Sequence, residues 1–258
     1  MLGTSSVLLA GLMFILMALQ PTCAVGLPET VAAVRGSVVA VGTFQATRRP
    51  PAAFLGTGFV VGDGSYVVTN AHVVERALDS GNREFLAVFA GRGNNFQTRE
   101  AIKIKVDLQH DLALLQIKAS PLPALRLGSG LPREGQEIAF TGFPLGVVLG
   151  LYPVTHRGIV SAISPIAIPA PNSSQLDAEA IRRLNDPFEV LQLDATAYPG
   201  NSGSPVYDPA SGRVIGVINS VFVKETKESV IQKPSGISYA IPIDYVRALL
   251  RGRGLNGP

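Results

Sequence analysis

A chain of 258 residues that is 47% apolar and 16% charged, with a formal charge of only +3, has the composition of a globular protein and not of a disordered segment, a collagen or a coiled coil. Its 27 Gly and 19 Pro interrupt long helices repeatedly, which disfavours a helical bundle and favours many short strands joined by turns. Lys and Arg, 22 together, barely outnumber the 19 acidic residues and cluster no further than pairs such as Arg48-Arg49 and Arg182-Arg183, so no basic stripe for nucleic acid is formed.

In chain order, the first expected element is an export signal. No Asp, Glu, Lys or Arg precedes Glu29, and 7–19 is an apolar run too short for an ordinary transmembrane helix but of the length of a signal-peptide core. Pro21 follows, then Thr22-Cys23-Ala24 with small residues flanking a cleavage point after Ala24. Residues 1–24 therefore read as a signal peptide and 25–258 as the mature chain, exported to a periplasm or secreted. Because no basic side chain precedes the apolar run, an uncleaved anchor that tethers the protein to the membrane and a lipidated Cys23 stay open as alternatives. Cys23 is the single cysteine, so cleavage would leave neither disulfides nor thiolate metal sites. Stability must then come from an ordinary apolar core, which a chain of this size can bury.

Next come apolar runs rich in Val and Ile with turn residues between them: 37–44, 57–61, 66–69, 85–90, 101–106 and 112–117. Such a series of short strands describes a sandwich or barrel. A Pro- and Gly-rich stretch around 120–135 separates it from a second series at 137–141, 154–163, 191–193, 204–207, 214–223 and 237–241. The chain reads as two all-β halves. Helical patterns are confined to a short turn around His72, to 177–184 within a polar insertion that also holds the glycosylation-type triplet Asn172-Ser173-Ser174, and to 242–251, with Pro near its start and Gly252 after it. That is too little helix for a βαβ series.

Chemistry concentrates in Gly200-Asn201-Ser202-Gly203-Ser204-Pro205. Two glycines let the backbone fold tightly and turn amides toward a common point, which can present a Ser hydroxyl beside an anion-binding nest. A serine needs a base, and the chain offers only His72, His110 and His156, all before Ser202. That order excludes an α/β-hydrolase, in which the base follows the nucleophile, and Ser204 breaks Gly-x-Ser-x-Gly. Asp63 and His72 would satisfy subtilisin order, but that fold needs α/β layers this sequence lacks; His, Asp, Ser on an all-β chain is left. His72 lies where a strand runs into a helical turn in Val68-Thr69-Asn70-Ala71-His72-Val73-Val74. Asp111 begins the apolar run Leu112-Ala113-Leu114-Leu115-Gln116-Ile117, where its carboxylate can face a histidine ring and stabilise the imidazolium. Asp107 competes for that role but lacks the adjoining apolar strand. His110 is expected to face solvent, and His156, between Thr155 and Arg157, to lie on the surface, with a place lining the cleft near the leaving-group side as the alternative. No His-Glu-x-x-His occurs, and a zinc site made from the three histidines would consume the base, so no metal or other cofactor is expected.

Together, Thr-Asn-Ala-His-Val-Val, Asp-Leu-Ala-Leu-Leu and Gly-Asn-Ser-Gly-Ser-Pro, in this order, resemble the trypsin-like serine peptidases of the HtrA/Deg type. Gly142-Phe143-Pro144-Leu145-Gly146, Gly158-Ile159-Val160-Ser161, Leu191-Gln192-Leu193-Asp194-Ala195 and Ile237-Ser238-Tyr239-Ala240-Ile241-Pro242 extend the match. The resemblance implies an all-β, chymotrypsin-like fold of two six-stranded antiparallel barrels, one about 37–119 and the other about 136–242, with a C-terminal helix about 243–251. It implies His72 as general base, Asp111 as its orienter and Ser202 as nucleophile, with the amides of Gly200, Asn201 and Ser202 as oxyanion donors. It places Thr196, Tyr198, Asn219, Ser220 and Phe222 about the substrate pocket, whose small or apolar walls, Val221 among them, suit small or aliphatic residues before the scissile bond. The family usually carries Gly where this chain has Ser204. It usually also carries C-terminal PDZ domains, which this chain, ending at Pro258, is expected to lack together with their control. Polypeptides are the implied partners, with homo-oligomers, trimers among relatives, a further possibility. Two other functions stay open: a chaperone-like protein that binds unfolded chains with little or conditional proteolysis, and an esterase.

Overall fold

The computed structural model describes residues 26–118, 120–144, 150–166, 187–219 and 236–251. The expected signal peptide, the helix at 177–184, the Asn172 triplet and the last part of the strand expected at 214–223 lie outside the described residues.

Valine-rich segments make the first barrel: β1 (Val38–Phe44), β2 (Ala52–Val61), β3 (Tyr66–Thr69), β4 (Phe85–Arg92), β5 (Asn95–Asp107) and β6 (Leu112–Ile117) close in the order β1-β2-β3-β6-β5-β4. The second is built from β7 (Glu137–Gly142), β8 (Val154–Pro165), β9 (Glu189–Asp194), β10 (Pro205–Tyr207), β11 (Val214–Asn219) and β12 (Ile237–Pro242), closing as β7-β8-β9-β12-β11-β10. Every pairing within the two barrels is antiparallel. The expected pair of six-stranded barrels is therefore what the chain forms.

Strand β6 explains why the apolar runs are continuous instead of alternating. Ala113, Leu115 and Ile117 point into the first barrel with Val39, Val41, Val60, Val67 and Val88. Leu112 and Leu114, on the opposite face, meet Val214, Val217 and Ile241 of the second barrel. Both faces of the strand are covered, so neither can be polar. Burying each such leucine is worth about 1.5–3 kcal/mol, which makes the seam between barrels as strong a constraint as their interiors. A second patch of the seam joins Ala40 and Phe89 to Ala139, Phe143, Leu151 and Tyr207.

Three α-helices decorate the barrels among the described residues. The sequence pattern does not single out α1 (Leu27–Val34), which carries Pro28 and Glu29 in its first turn and buries Val34 against the seam. A single turn, α2 (Ala71–Val74), follows β3, as expected around His72. Helix α3 (Ile243–Leu250) begins directly after Pro242 and lays Ile243, Val246, Leu249 and Leu250 on the seam. Strand β5 starts well before the expected position 101, because the polar residues from Asn95 to Glu100 pair with β4 while their side chains stay largely exposed. Strand β2 likewise begins at Ala52, since Ala52–Phe54 pairs with Gly42–Phe44 beyond a bulge after Val41. No helix of the described residues is long and apolar enough to cross a membrane.

Candidate active site

The end of β3 delivers Thr69, Asn70 and α2 in succession, and α2 is pinned to the corner before β6. The Ala71 amide donates to the Asp111 carbonyl at 3.1 Å, and Asn70 Nδ2 donates to the same oxygen at 2.9 Å. These bonds hold Asp111 at φ 50°, a left-handed conformation that aspartate tolerates better than most residues. So placed, its carboxylate turns back to α2: Oδ1 accepts from the His72 backbone amide at 2.9 Å and Oδ2 from His72 Nδ1 at 2.6 Å. A carboxylate only accepts, so the proton sits on Nδ1 and the lone pair is at Nε2. Asp111 is buried, whereas the His72 side chain is 29% exposed and open to a ligand.

The second barrel adds a third donor. Asn219, the last residue of β11 and fully buried, gives its Nδ2 to Asp111 Oδ2 at 2.7 Å. Its backbone pairs with Tyr239. The side chain expected about the substrate pocket thus supports the carboxylate, a role that its position in an apolar strand does not reveal.

Ser202 lies in the connection from β9 to β10. Gly200 at φ 98° and Gly203 at φ 88° turn the chain sharply on either side of it, conformations costly for any residue with a Cβ. The Asn201 amide donates to the Tyr198 carbonyl at 2.9 Å, and the Ser204 amide to the Asn201 carbonyl at 2.9 Å. Asn201 therefore has its amide committed within the turn. Gly203 donates to the Ile218 carbonyl and Ile218 to that of Ser204, tying the loop to β11. Ser204 is fully buried with its side chain against Gly142.

The loop is held from the first barrel by one residue that the motif reading did not single out. Thr57, in Gly56-Thr57-Gly58 of β2, donates its amide to the Ser202 carbonyl at 2.8 Å and its hydroxyl to the Gly200 carbonyl at 2.7 Å. The same hydroxyl accepts from the Phe143 amide at 3.0 Å, and the Thr57 carbonyl accepts from the Thr69 hydroxyl at 2.7 Å. Thr69 leads directly into α2, so a chain of hydrogen bonds runs from the His72 turn to both carbonyls flanking Asn201. Gly56 lies between the two parts: a Cβ there would come within 2.7 Å of Val73 Cγ2 and 3.0 Å of the Ser202 carbonyl oxygen. Ser202 is thus one glycine's width from the turn that carries His72. The only signal in the sequence is a small hydroxyl residue between two glycines.

The other two histidines are not where the sequence suggests. His110, expected to face solvent, packs its ring between Phe188 and Tyr245 and holds Asp107 through Nδ1 at 2.7 Å. Asp107, weighed above as a rival for Asp111, partners His110. His156, expected on the surface, pairs across the sheet with Phe140 and stacks on its ring, centroids 4.7 Å apart, with the Tyr198 ring at 6.0 Å. Burial pushes its pKa below the usual 6.5. In both cases residues distant in sequence cover a ring that its polar neighbours would leave in water. Thr196 is half-buried between β9 and the loop, and Ser220, Val221 and Phe222 lie outside the described residues. Among the described residues, no group of three or more His, Cys, Asp or Glu could hold a metal ion.

Residues 56–217 match the family described as trypsin-like peptidase domain. A probable periplasmic serine endoprotease, DegP-like, of Halomonas elongata is 34% identical over 191 residues, covering 74% of this chain and 33% of the relative. Human serine protease HTRA4 is 32% identical over 199 residues, covering 76% of this chain and 34% of the relative. The chain thus spans about a third of the length of these curated relatives, and both carry forward the HtrA/Deg resemblance of the sequence motifs. Among solved structures, the active form of the Rv3671c protease from M. tuberculosis shares the fold, with a TM-score of 0.62 at 23% identity over 89% of this chain and 86% of that one.

Proposed function

The chain belongs to the trypsin-like peptidase domain family, and on that premise we propose that it is an exported serine endopeptidase acting on unfolded or extended polypeptides through an acyl-enzyme. The observation that carries the reading is the Asp111 carboxylate, which takes both the amide and the Nδ1 of His72 and so fixes the ring with its Nε2 lone pair available.

In this proposal Ser202 Oγ attacks the scissile carbonyl while His72 Nε2 takes its proton, and Asp111 stabilises the imidazolium that results. The oxyanion is received by the amides of Gly200 and Ser202, since that of Asn201 is committed to Tyr198. His72 returns the proton to the leaving amine, and a water activated by the same ring releases the acyl group. The steps need neither metal nor organic cofactor. Substrate would bind as an added strand, which favours extended chains and protects folded ones. Export is supported by the apolar run 7–19 and the small residues before Val25.

The test is incubation of the protein, purified from an exporting host, with β-casein and with a fluorophosphonate that reacts with activated serines, beside Ser202→Ala. Cleavage and labelling are expected in the wild type and lost together in the variant. A folded wild type that neither cleaves nor labels, yet suppresses aggregation of an unfolded chain, would favour the chaperone-like alternative.

A further inference from the structure

Among the described residues of the site Asp111 is the one non-glycine at positive φ, and its two sides are held differently. On its C-terminal side the carbonyl is fixed by Ala71 and Asn70. On its N-terminal side is His110, whose backbone amide donates to Asp107 Oδ1 at 3.1 Å and whose Nδ1 lies 2.7 Å from Oδ2, closing the turn from β5 to β6. The imidazole also reaches beyond the first barrel. It stacks on Tyr245 of α3, centroids 4.1 Å apart and planes 22° from parallel, and meets Phe188, just ahead of β9, edge-on at 4.7 Å. Phe188 and Tyr245 themselves pack edge-on at 5.5 Å. The residue bonded directly to Asp111 is therefore tied to the first barrel by its amide and Nδ1 and wedged into an aromatic pair supplied by segments beyond it.

Asp111 has to satisfy donors from both sides of the seam, His72 from the first barrel and Asn219 from the second. Both bonds are short, and a displacement of a few tenths of an ångström would favour one at the expense of the other. We propose that His110 is a positioning residue: its ring, locked by Phe188 and Tyr245, sets where Asp111 stands relative to the second barrel and so holds the His72 ring in its working orientation. The inference deepens the proposed activity and rests on His72 and Asp111 being its base and orienter.

The experiment compares His110→Ala, His110→Phe, His110→Asn and Tyr245→Ala in the full chain. It measures kcat and KM on a peptide, thermal unfolding, and the low-field proton resonance of the His72 Nδ1–H to Asp111 bond. His110→Ala and Tyr245→Ala are each expected to lower kcat about tenfold with KM little changed, because small misplacements of reacting groups act on the barrier. Both should shift or broaden the resonance, and a double variant combining His110→Ala with Tyr245→Ala should be little worse than either single one. His110→Phe, which keeps the aromatic wedge, is expected to recover most of kcat. His110→Asn, which keeps only the Asp107 bond, should not. Unchanged kcat and resonance in both alanine variants would overturn the proposal, as would losses that track only the folded fraction. A wild type inert to fluorophosphonate would overturn the activity, and the resonance would then decide the positioning role by itself.

Discussion

The two barrels share one topology and divide the candidate site by it. In each, the third strand leads through a connection to the fourth, and the fifth through another to the sixth. The third-to-fourth connections carry His72 in one barrel and Ser202 in the other; the fifth-to-sixth connections are flanked by Asp111 and by Asn219, which hydrogen-bond to each other across the seam. The corresponding corners differ in how they are held. The corner of the first barrel is fixed largely from within, with α2 and Asp111 exchanging bonds between amides, carbonyl and carboxylate. That of the second barrel depends on two glycines at positive φ and on Thr57 of the first barrel for the placement of its carbonyls. A repeated scaffold thus yields a corner held mainly from within, with one added bond from Asn219, and one whose carbonyls are placed by its neighbour.

The largest effect should follow from breaking the first corner. Asp111→Asn would present a donor amide to His72 Nδ1 and favour the wrong tautomer, lowering kcat about 10,000-fold with the fold retained by circular dichroism. Next is the bond that joins the corners. Asn219→Ala removes a donor to a charged oxygen, an interaction worth about 1.5–3 kcal/mol, so kcat is expected to fall on the order of tenfold or more. A wild-type kcat in this variant would mean that Asp111 needs no support from the second barrel.

Smaller again is the effect of cutting the support lent by Thr57. Thr57→Val keeps the shape and loses the hydroxyl bridge between Gly200 and Phe143, and a neutral hydrogen bond of about 1 kcal/mol translates to about a fivefold loss of kcat. Thr57→Ser should stay near wild type. A loss in Thr57→Ser with Thr57→Val near wild type would assign the effect to packing of the Thr57 methyl group and not to the bridge.

These variants also mark what a sequence can disclose. His72, Asp111 and Ser202 stand in motifs whose order and surroundings restrict the chemistry, and the Val-rich runs outline both barrels. Thr57 and Asn219 were not legible as supports, because a hydroxyl between glycines or an amide ending a strand acquires its partner only when segments more than a hundred residues apart meet. The first residues of β5, Asn95 to Glu100, were hidden for a different reason: barrel outer faces exposed to water carry polar residues that interrupt the apolar pattern. His110 and His156 show the converse, since polar neighbours in sequence say little about a ring that Tyr245 or Phe140 covers from another element.

In stability, acid should tell the barrels apart through one titrating group in each. In the first, Glu84 is 1% exposed in its side chain and accepts from the Thr43 hydroxyl at 2.5 Å, from Arg48 at 2.6 Å and from the Asp79 amide at 2.9 Å. The Asp79 amide, then the Thr43 hydroxyl, bring its pKa from the usual 4.5 to about 2. A lowered carboxylate pKa stabilises the fold fully above 4.5, and that contribution is lost as pH falls from there through about 2. Glu84→Gln should therefore lower Tm at neutral pH, leave kcat unchanged, and approach the wild type in Tm as pH drops through that window. A gap in Tm that stays constant from neutral pH to pH 2 would remove ionisation of Glu84 from the account.

The second barrel should respond earlier and more weakly. His156 stacks on Phe140 with its Nε2 buried and without a partner among the described residues, so its charged form is disfavoured and its pKa lies below 6.5. The sign is fixed by which state takes the proton first. As pH falls below 6.5 the unfolded chain binds a proton that the folded barrel does not, and stability declines until the folded pKa is reached. His156→Phe keeps a flat ring against Phe140 and has nothing to titrate, so the small fall in Tm between pH 7 and pH 5 attributable to this site should vanish. The Glu84 effect should remain intact at lower pH. If His156→Phe and wild type instead lose Tm in parallel from pH 7 to pH 5, the ring is solvated in solution and the stack on Phe140 is not what burial of this barrel imposes.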